Sequence, residues 1–181
     1  MVENRNKPDS LQRLSRRLKR VAIVFMALTL IISVLFWLFI NQLPSELLSR
    51  LPVKFDQSLS LSTRLLALLV TMIPVTLLLC GLKTLVNLFR SYESGKVFSQ
   101  NNVKHFKTLG WVLIVWFFAS VLYNALLSIV LTLNNPPGHR MLVVRFELLD
   151  LTSLLMGFVL IAIAKVMQLA YELNEDYAKV I

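Results

Sequence analysis

The sequence predicts an all-α integral membrane protein, a bundle of four transmembrane helices with its N-terminus and C-terminus cytosolic. Three observations carry that expectation. Of the 181 residues, 56% are hydrophobic and only 16% are charged. The mean hydropathy of +0.68 lies well to the apolar side of an ordinary soluble domain. Four apolar runs are each long enough to cross hydrocarbon, and the basic residues concentrate in alternate connecting segments. A water-soluble fold of this size has nowhere to bury so much apolar surface. Four spans of about 20 residues use nearly half of the chain. One membrane domain, residues 21–181, is therefore expected behind a basic N-terminal segment, residues 1–20.

The first span, Val21 to Ile40, contains no charge and at 1.5 Å per residue covers about 30 Å. A basic stretch before an apolar run also describes a signal peptide, but this run exceeds the usual apolar region of about 7 to 15 residues. It leads to Asn41-Gln42-Leu43-Pro44 rather than to a small-residue cleavage site, so a retained anchor is expected. The second span, residues 65–82, is interrupted by Pro74, and its helix is expected to continue through Lys83 to about Tyr92. Proline removes one backbone donor and is tolerated where neighbouring groups repair the gap, so a kink is preferred to a gating hinge. The third span is residues 109–133 and the fourth residues 151–169, separated by the turn-forming run Asn134-Asn135-Pro136-Pro137-Gly138. Ser62, Ser99 and Asp150 are the expected N-caps of the second, third and fourth helices.

Orientation follows from lysine and arginine, which short loops retain on the cytosolic side. Arg5, Lys7, Arg13, Arg16, Arg17, Lys19 and Arg20 precede the first span, and Lys83, Arg90, Lys96, Lys104 and Lys107 lie between the second and third. With Lys165 and Lys179, these make fourteen of the 19 basic residues; Arg50, Lys54, Arg64, Arg140 and Arg145 hold the alternate loops. Leu11, Leu14 and Leu18 stand at helical spacing with arginines around the other face, predicting an interfacial helix on the anionic inner leaflet. The lipid bilayer is thus the first expected partner. A net charge of +9 in a soluble chain would raise nucleic acid. No helix-turn-helix or aromatic interleaving accompanies the charge here, and that partner is disfavoured.

Between Asn41 and Thr63, Leu43, Leu47, Leu48 and Leu51 are bracketed by Pro44 and Pro52. A short helix resting on the outer interface is expected there, in preference to a ligand-binding lid. Within the spans, polar residues recur every four positions and so share a helix face: Thr76, Cys80 and Thr84 in the second, and Ser120, Asn124, Ser128 and Thr132 in the third. The fourth offers Ser153 and Gly157. A packing seam between helices is the expectation, with a polar permeation path as the rival, since no acidic residue falls within any predicted span. Lys83 and Lys165 lie about 27 Å and 21 Å of helical rise from the outer ends of their spans. Both amines are expected to snorkel to the cytosolic interface rather than to form an ion or substrate site.

No catalytic constellation is legible, so enzyme activity is not expected, and no cofactor or metal is expected either. The chain has no P-loop, dinucleotide-binding turn, HExxH or serine-hydrolase elbow. Its two histidines, His105 and His139, belong to loops predicted on opposite sides of the membrane, and the single cysteine, Cys80, supports neither a disulfide within the chain nor a cysteine cluster. Glu172, Glu175 and Asp176 read as a solvated helix end.

One connection reads as a motif: Tyr92, Gly95, Val97, Phe98, Ser99, Asn102 and Val103, followed by Phe106 and Gly110. Gly95 suits the exit of one helix and Ser99 the entry of the next. Together with the run from Ile161 to Asp176, this stretch resembles the bacterial four-span family known as domain of unknown function 2975. In that family a tyrosine, a glycine, Val-Phe-Ser and Asn-Val mark the cytosolic connection, and the last helix ends in a basic residue and an acidic tail. The similarity covers residues 65–181 and reaches the first span by hydropathy only; Tyr177-Ala178-Lys179 departs from the family's polar finish. The resemblance implies a bacterial inner membrane location and, for some members, a gene beside a small helix-turn-helix regulator. It implies no reaction.

The functional expectation is a regulatory or interaction protein that presents the Gly95 to Val103 connection, with the basic N-terminus and acidic C-terminus, to a cytosolic protein partner. The alternative is a component of a transport or permeation system, working as a homo-oligomer along Ser120, Asn124 and Ser128.

Overall fold

A computed structural model describes residues 6–49, 51–53, 58–95, 99–135, 140–145 and 148–180. Four long helices dominate: α1 (Asn6–Phe39), α3 (Leu61–Glu93), α4 (Gln100–Thr132) and α5 (Leu148–Val180). A 3-10 turn, Ile40–Gln42, and the single-turn helix α2 (Ser45–Leu48) occupy the first loop. All four long helices contain stretches apolar and long enough to cross a membrane. The chain is an all-α, multi-pass membrane protein.

Helices of 33 or 34 residues extend about 50 Å, whereas the hydrocarbon core is about 30 Å thick. Each therefore projects beyond any membrane it crosses. The basic N-terminal segment is not a separate helix: it forms the first half of α1 and runs into the span without a break. Its leucine face does not pack inward, for Leu11, Leu14 and Leu18 are all exposed. Ser15, Ala22, Trp37 and Ile40 are instead buried, and with half-buried Lys19, Met26, Thr29, Ser33 and Phe36 they alternate in steps of three and four along one stripe. That spacing is the seam one helix presents to a neighbour.

Each long helix packs on its neighbour in the chain: α1 on α3, α3 on α4, and α4 on α5. These neighbour pairs are the close backbone approaches among the described helices; α1 meets α4 through side chains in the core. The four long helices thus form a bundle in which each lies closest to its neighbour in the chain. The tightest approach lies between α4 and α5. A Cβ on Gly110 would meet the Gly157 carbonyl oxygen at 2.8 Å, and one on Gly157 would meet that of Gly110 at 2.8 Å.

The core lies where the end of α1, the start of α3 and the end of α4 meet. Trp37, Ile40, Ala67, Val70, Leu127 and Leu131 pack there with Leu51 and Leu59 of the first loop. The short helix expected from the leucines is present as α2, with Leu47 exposed, while Leu51 and Leu59 tie the loop into the core. Asn41 closes it, donating from Nδ2 to the Leu59 carbonyl at 3.1 Å and accepting the Leu59 N–H at 3.0 Å. Arg64 donates to the Leu38 carbonyl at 3.0 Å, satisfying an acceptor at the C-terminal end of α1.

Two predicted caps move. Ser60, not Ser62, caps α3, accepting the Thr63 N–H. Helix α5 begins at Leu148, so Asp150 sits inside its first turn rather than ahead of it. Pro74 is accommodated within α3 without ending the helix.

Candidate functional site

At the basic end of the bundle, the turn between α3 and α4 is built from local chemistry. The Ser94 N–H donates to the Arg90 carbonyl at 3.2 Å and the Gly95 N–H to that of Tyr92 at 3.1 Å. Gly95 has φ +77°, the left-handed exit that glycine adopts without steric cost. Extended Ser99 opens α4, its Oγ accepting the Asn102 N–H at 3.4 Å. Asn102 and Val103 are buried, Tyr92 is half-buried, and Val97 and Phe98 lie outside the described residues.

Helix α1 clamps this turn. Lys19 Nζ donates to Glu93 Oε2, and Arg16 Nε lies 3.6 Å from Glu93 Oε1. Glu93 stands beyond the 65–82 span, where the Lys19 hydrogen bond, aided by the charges of Lys19, Arg16 and Arg90, holds its carboxyl below the ordinary glutamate value. Burial pushes the Tyr92 phenol up and lowers the His105 imidazole. The amide of Gln12 reaches within 3.9 Å of where a Cβ on Gly95 would stand. Clamp and turn are therefore one surface.

The predicted polar seam divides. Thr76 and Cys80 are exposed on α3 and join no helix interface. Four-residue spacing places them on one face of the helix, but that face looks outward. Thr84 is buried and donates to the Cys80 carbonyl of its own helix at 2.8 Å. On α4, Ser128 and Thr132 are fully buried, yet they hold a loop rather than a helix. Ser128 Oγ accepts the Val143 N–H at 3.0 Å and Thr132 Oγ1 accepts the Met141 N–H at 3.2 Å. The segment 140–145 thus descends along α4 from Thr132 to Ser128, about 6 Å by helical rise. Non-helical backbone at such depth needs its polar groups paired by protein, which these hydroxyls supply.

That descent starts α5 within the bundle. Asp150, only 7% exposed, lines a cavity of about 350 Å³ with Thr71, Pro74, Val75 and Leu78 of α3 and Trp116, Ser120, Tyr123 and Asn124 of α4. Asn124 and Trp116 lie about 12 and 24 Å of rise from Thr132, inside the expected 109–133 span. Asp150, just ahead of the expected 151–169 span, thus lies inside the first turn of α5 and in the wall of this cavity. Span limits read from hydropathy placed Asp150 at a loop end, whereas the bonded 140–145 segment carries it inward. Ser120 and Asn124 join this site, while Ser128 lies above it. Trp37 Nε1 donates to Thr71 Oγ1 at 2.8 Å, tying α1 to the cavity wall.

Lys83 and Lys165 are both exposed, and Lys83 borders an apolar groove of about 560 Å³ between α1 and α3. Among the described residues, no three His, Cys, Asp or Glu side chains converge on a metal-sized site; His139 lies outside those residues.

A family model described as "Protein of unknown function (DUF2975)" matches residues 56–181. The chain belongs to this family. No curated protein and no solved structure matches it. In this DUF2975 member the matched region takes in α3, α4, α5, the Gly95 turn and the Asp150 cavity. Helix α1, with the Lys19 and Arg16 clamp, lies outside the match.

Proposed function

We propose that this DUF2975 protein acts by contact rather than catalysis, as a regulatory or interaction protein of the bacterial inner membrane. In this reading both termini and the 94–99 turn face the cytosol, and a protein partner docks there. The ion pair of Lys19 and Arg16 with Glu93 carries it. Two segments distant in sequence are drawn into one face, and a fixed surface costs a partner less ordering entropy than loose loops would. The basic side chains Arg13, Arg17 and Arg20 are exposed beside it, suited to the anionic inner leaflet.

The permeation alternative has less support, because Ser128 and Thr132 already spend their hydroxyls on loop backbone. The test is photo-crosslinking in living cells from probes at the exposed positions Ser94 and Asn101. A protein adduct of fixed mass is expected, and it should vanish when Glu93→Arg opens the clamp. No adduct, or one indifferent to Glu93→Arg, refutes the contact role.

A further inference from the structure

We propose that the groove between α1 and α3 is a binding site for one anionic phospholipid, with an acyl chain along the groove and the phosphate drawn to Lys83 and Arg20. This goes beyond the contact role. It depends neither on that role nor on which side of the membrane the basic end of the bundle faces.

The first support is an unmatched cation. Lys83 borders the groove and is exposed. Among the described residues it makes no hydrogen bond or ion pair. Arg16 and Lys19 answer Glu93, and no acidic side chain lines the groove to answer Lys83. Lys83 stands about 15 Å of helical rise from Glu93, beside apolar side chains, where an ammonium without an anion is costly. Snorkelling carries the amine toward the basic end but supplies no counter-ion. Arg20 adds a second such charge. It lies three residues before groove-lining Ile23 and so continues the same face of α1 toward the basic end. It too is exposed and has no ion pair among the described residues.

The second support is shape. Ile23, Met26, Ala27 and Leu30 line the groove from α1 at helical spacing, while Leu79 and Val86 flank Lys83 on α3. The Lys19–Glu93 pair and the Trp37–Thr71 bond fix the antiparallel register of the two helices, which sets Ala27 across from Lys83. A methyl opposite the lysine leaves the cleft open where a longer side chain would fill it. Residues 23–30 fall in the first half of the 21–40 span and cover about 10 Å of rise, most of the roughly 15 Å that one leaflet contributes to the hydrocarbon core. The volume of about 560 Å³ falls within the range of small-molecule sites. An apolar groove confined to one leaflet fits a lipid chain better than a polar solute.

The charges select the headgroup. A zwitterionic lipid brings an ammonium toward Lys83 and Arg20 with no carboxylate in the lining to receive it. A lipid of net negative charge offers both cations its phosphate oxygens and no opposing charge.

The experiment uses the full chain, freed of lipid in detergent and titrated with phosphatidylglycerol or with phosphatidylcholine of the same acyl chains. Bound lipid is counted by native mass spectrometry. One phosphatidylglycerol is expected to bind at least fivefold more tightly than phosphatidylcholine. Lys83→Gln should remove that preference, Lys83→Arg should keep it, and Lys165→Gln, which takes the same charge from α5, should leave it unchanged. Ala27→Phe fills the cleft and leaves both cations in place; it should weaken phosphatidylglycerol binding at least fivefold with the melting temperature retained. Equal affinity for the two lipids, a preference indifferent to Lys83→Gln, or an equal loss in Lys165→Gln overturns the proposal. A stable dimer that excludes the lipid overturns it as well, since a second copy would then cover the groove. Should Lys83→Gln fail to fold, Ala27→Phe decides the matter, and unchanged binding by that variant refutes the site.

Discussion

Gly110 and Gly157 meet backbone to backbone: a β-carbon on either would stand 2.8 Å from the carbonyl oxygen of the other. Neither carbonyl is the movable end of a side chain, so the α4 and α5 axes are as close as glycine permits. Gly110→Ala and Gly157→Ala should each destabilise the protein by about 1–3 kcal/mol, as overpacking does. The gain in helix propensity of about 1 kcal/mol recovers only part of that. Thermal unfolding in detergent measures the loss. Gly81→Ala, whose new methyl would stand 3.4 Å from Val112, should be nearly neutral and serves as the control.

Glu93 makes the α1 clamp dependent on pH. Its carboxyl is held below the ordinary glutamate value by Lys19, so the native state binds fewer protons than the unfolded one. The clamp's contribution is complete above the ordinary value of about 4.3 and is lost as pH falls through the lower folded value. Spin labels at Gln12 and Ser94, placed in a Cys80→Ser background, should report one narrow distance at neutral pH and a broad distribution in acid. Glu93→Gln should be broad at every pH.

Ser128 and Thr132 should matter more to the α4–α5 loop than to any helix interface. Ser128→Ala or Thr132→Val leaves the Val143 or Met141 N–H unpaired at depth, at a cost of about 1–3 kcal/mol each. Hydrogen exchange at those two amides should accelerate, while amides of α3 that pack on α4 keep their protection. Equal loosening of α3 would restore the helix-seam view.

Gly95, at φ +77°, should resist substitution on conformational grounds. Gly95→Ala is expected to cost about 1–2 kcal/mol and Gly95→Asn less, because asparagine visits the left-handed region more readily. The comparison is read from melting temperatures. Equal effects of the two variants would point to the neighbouring Gln12 contact instead.

Parts of both candidate sites were legible because their causes are local. Gly95 follows from the need for a left-handed exit, and Ser99 from a hydroxyl within reach of the Asn102 N–H. The seam was legible only as a face. A period of four places Thr76 with Cys80 and Ser120 with Asn124, but it does not say which pair looks at protein. On α3 the pair looks outward; on α4 it lines a cavity. Lys19 and Glu93 are 74 positions apart, with no periodicity linking them.

The sequence by itself determined that helices form and that four of them are apolar enough to cross a membrane, because backbone satisfaction in hydrocarbon leaves helices little competition and hydropathy counts the residues needed. It also determined the Gly95 turn. Only the tertiary structure decided depth and partnership: which helices of the bundle pack side by side, α1 clamped at Glu93, and Asp150 set in one cavity wall with Asn124. Depth depends on how far a connection descends, and that is set by two hydroxyls on α4 meeting two amides of the 140–145 segment. Such pairings join distant parts of the chain, and no local rule of composition or spacing contains them.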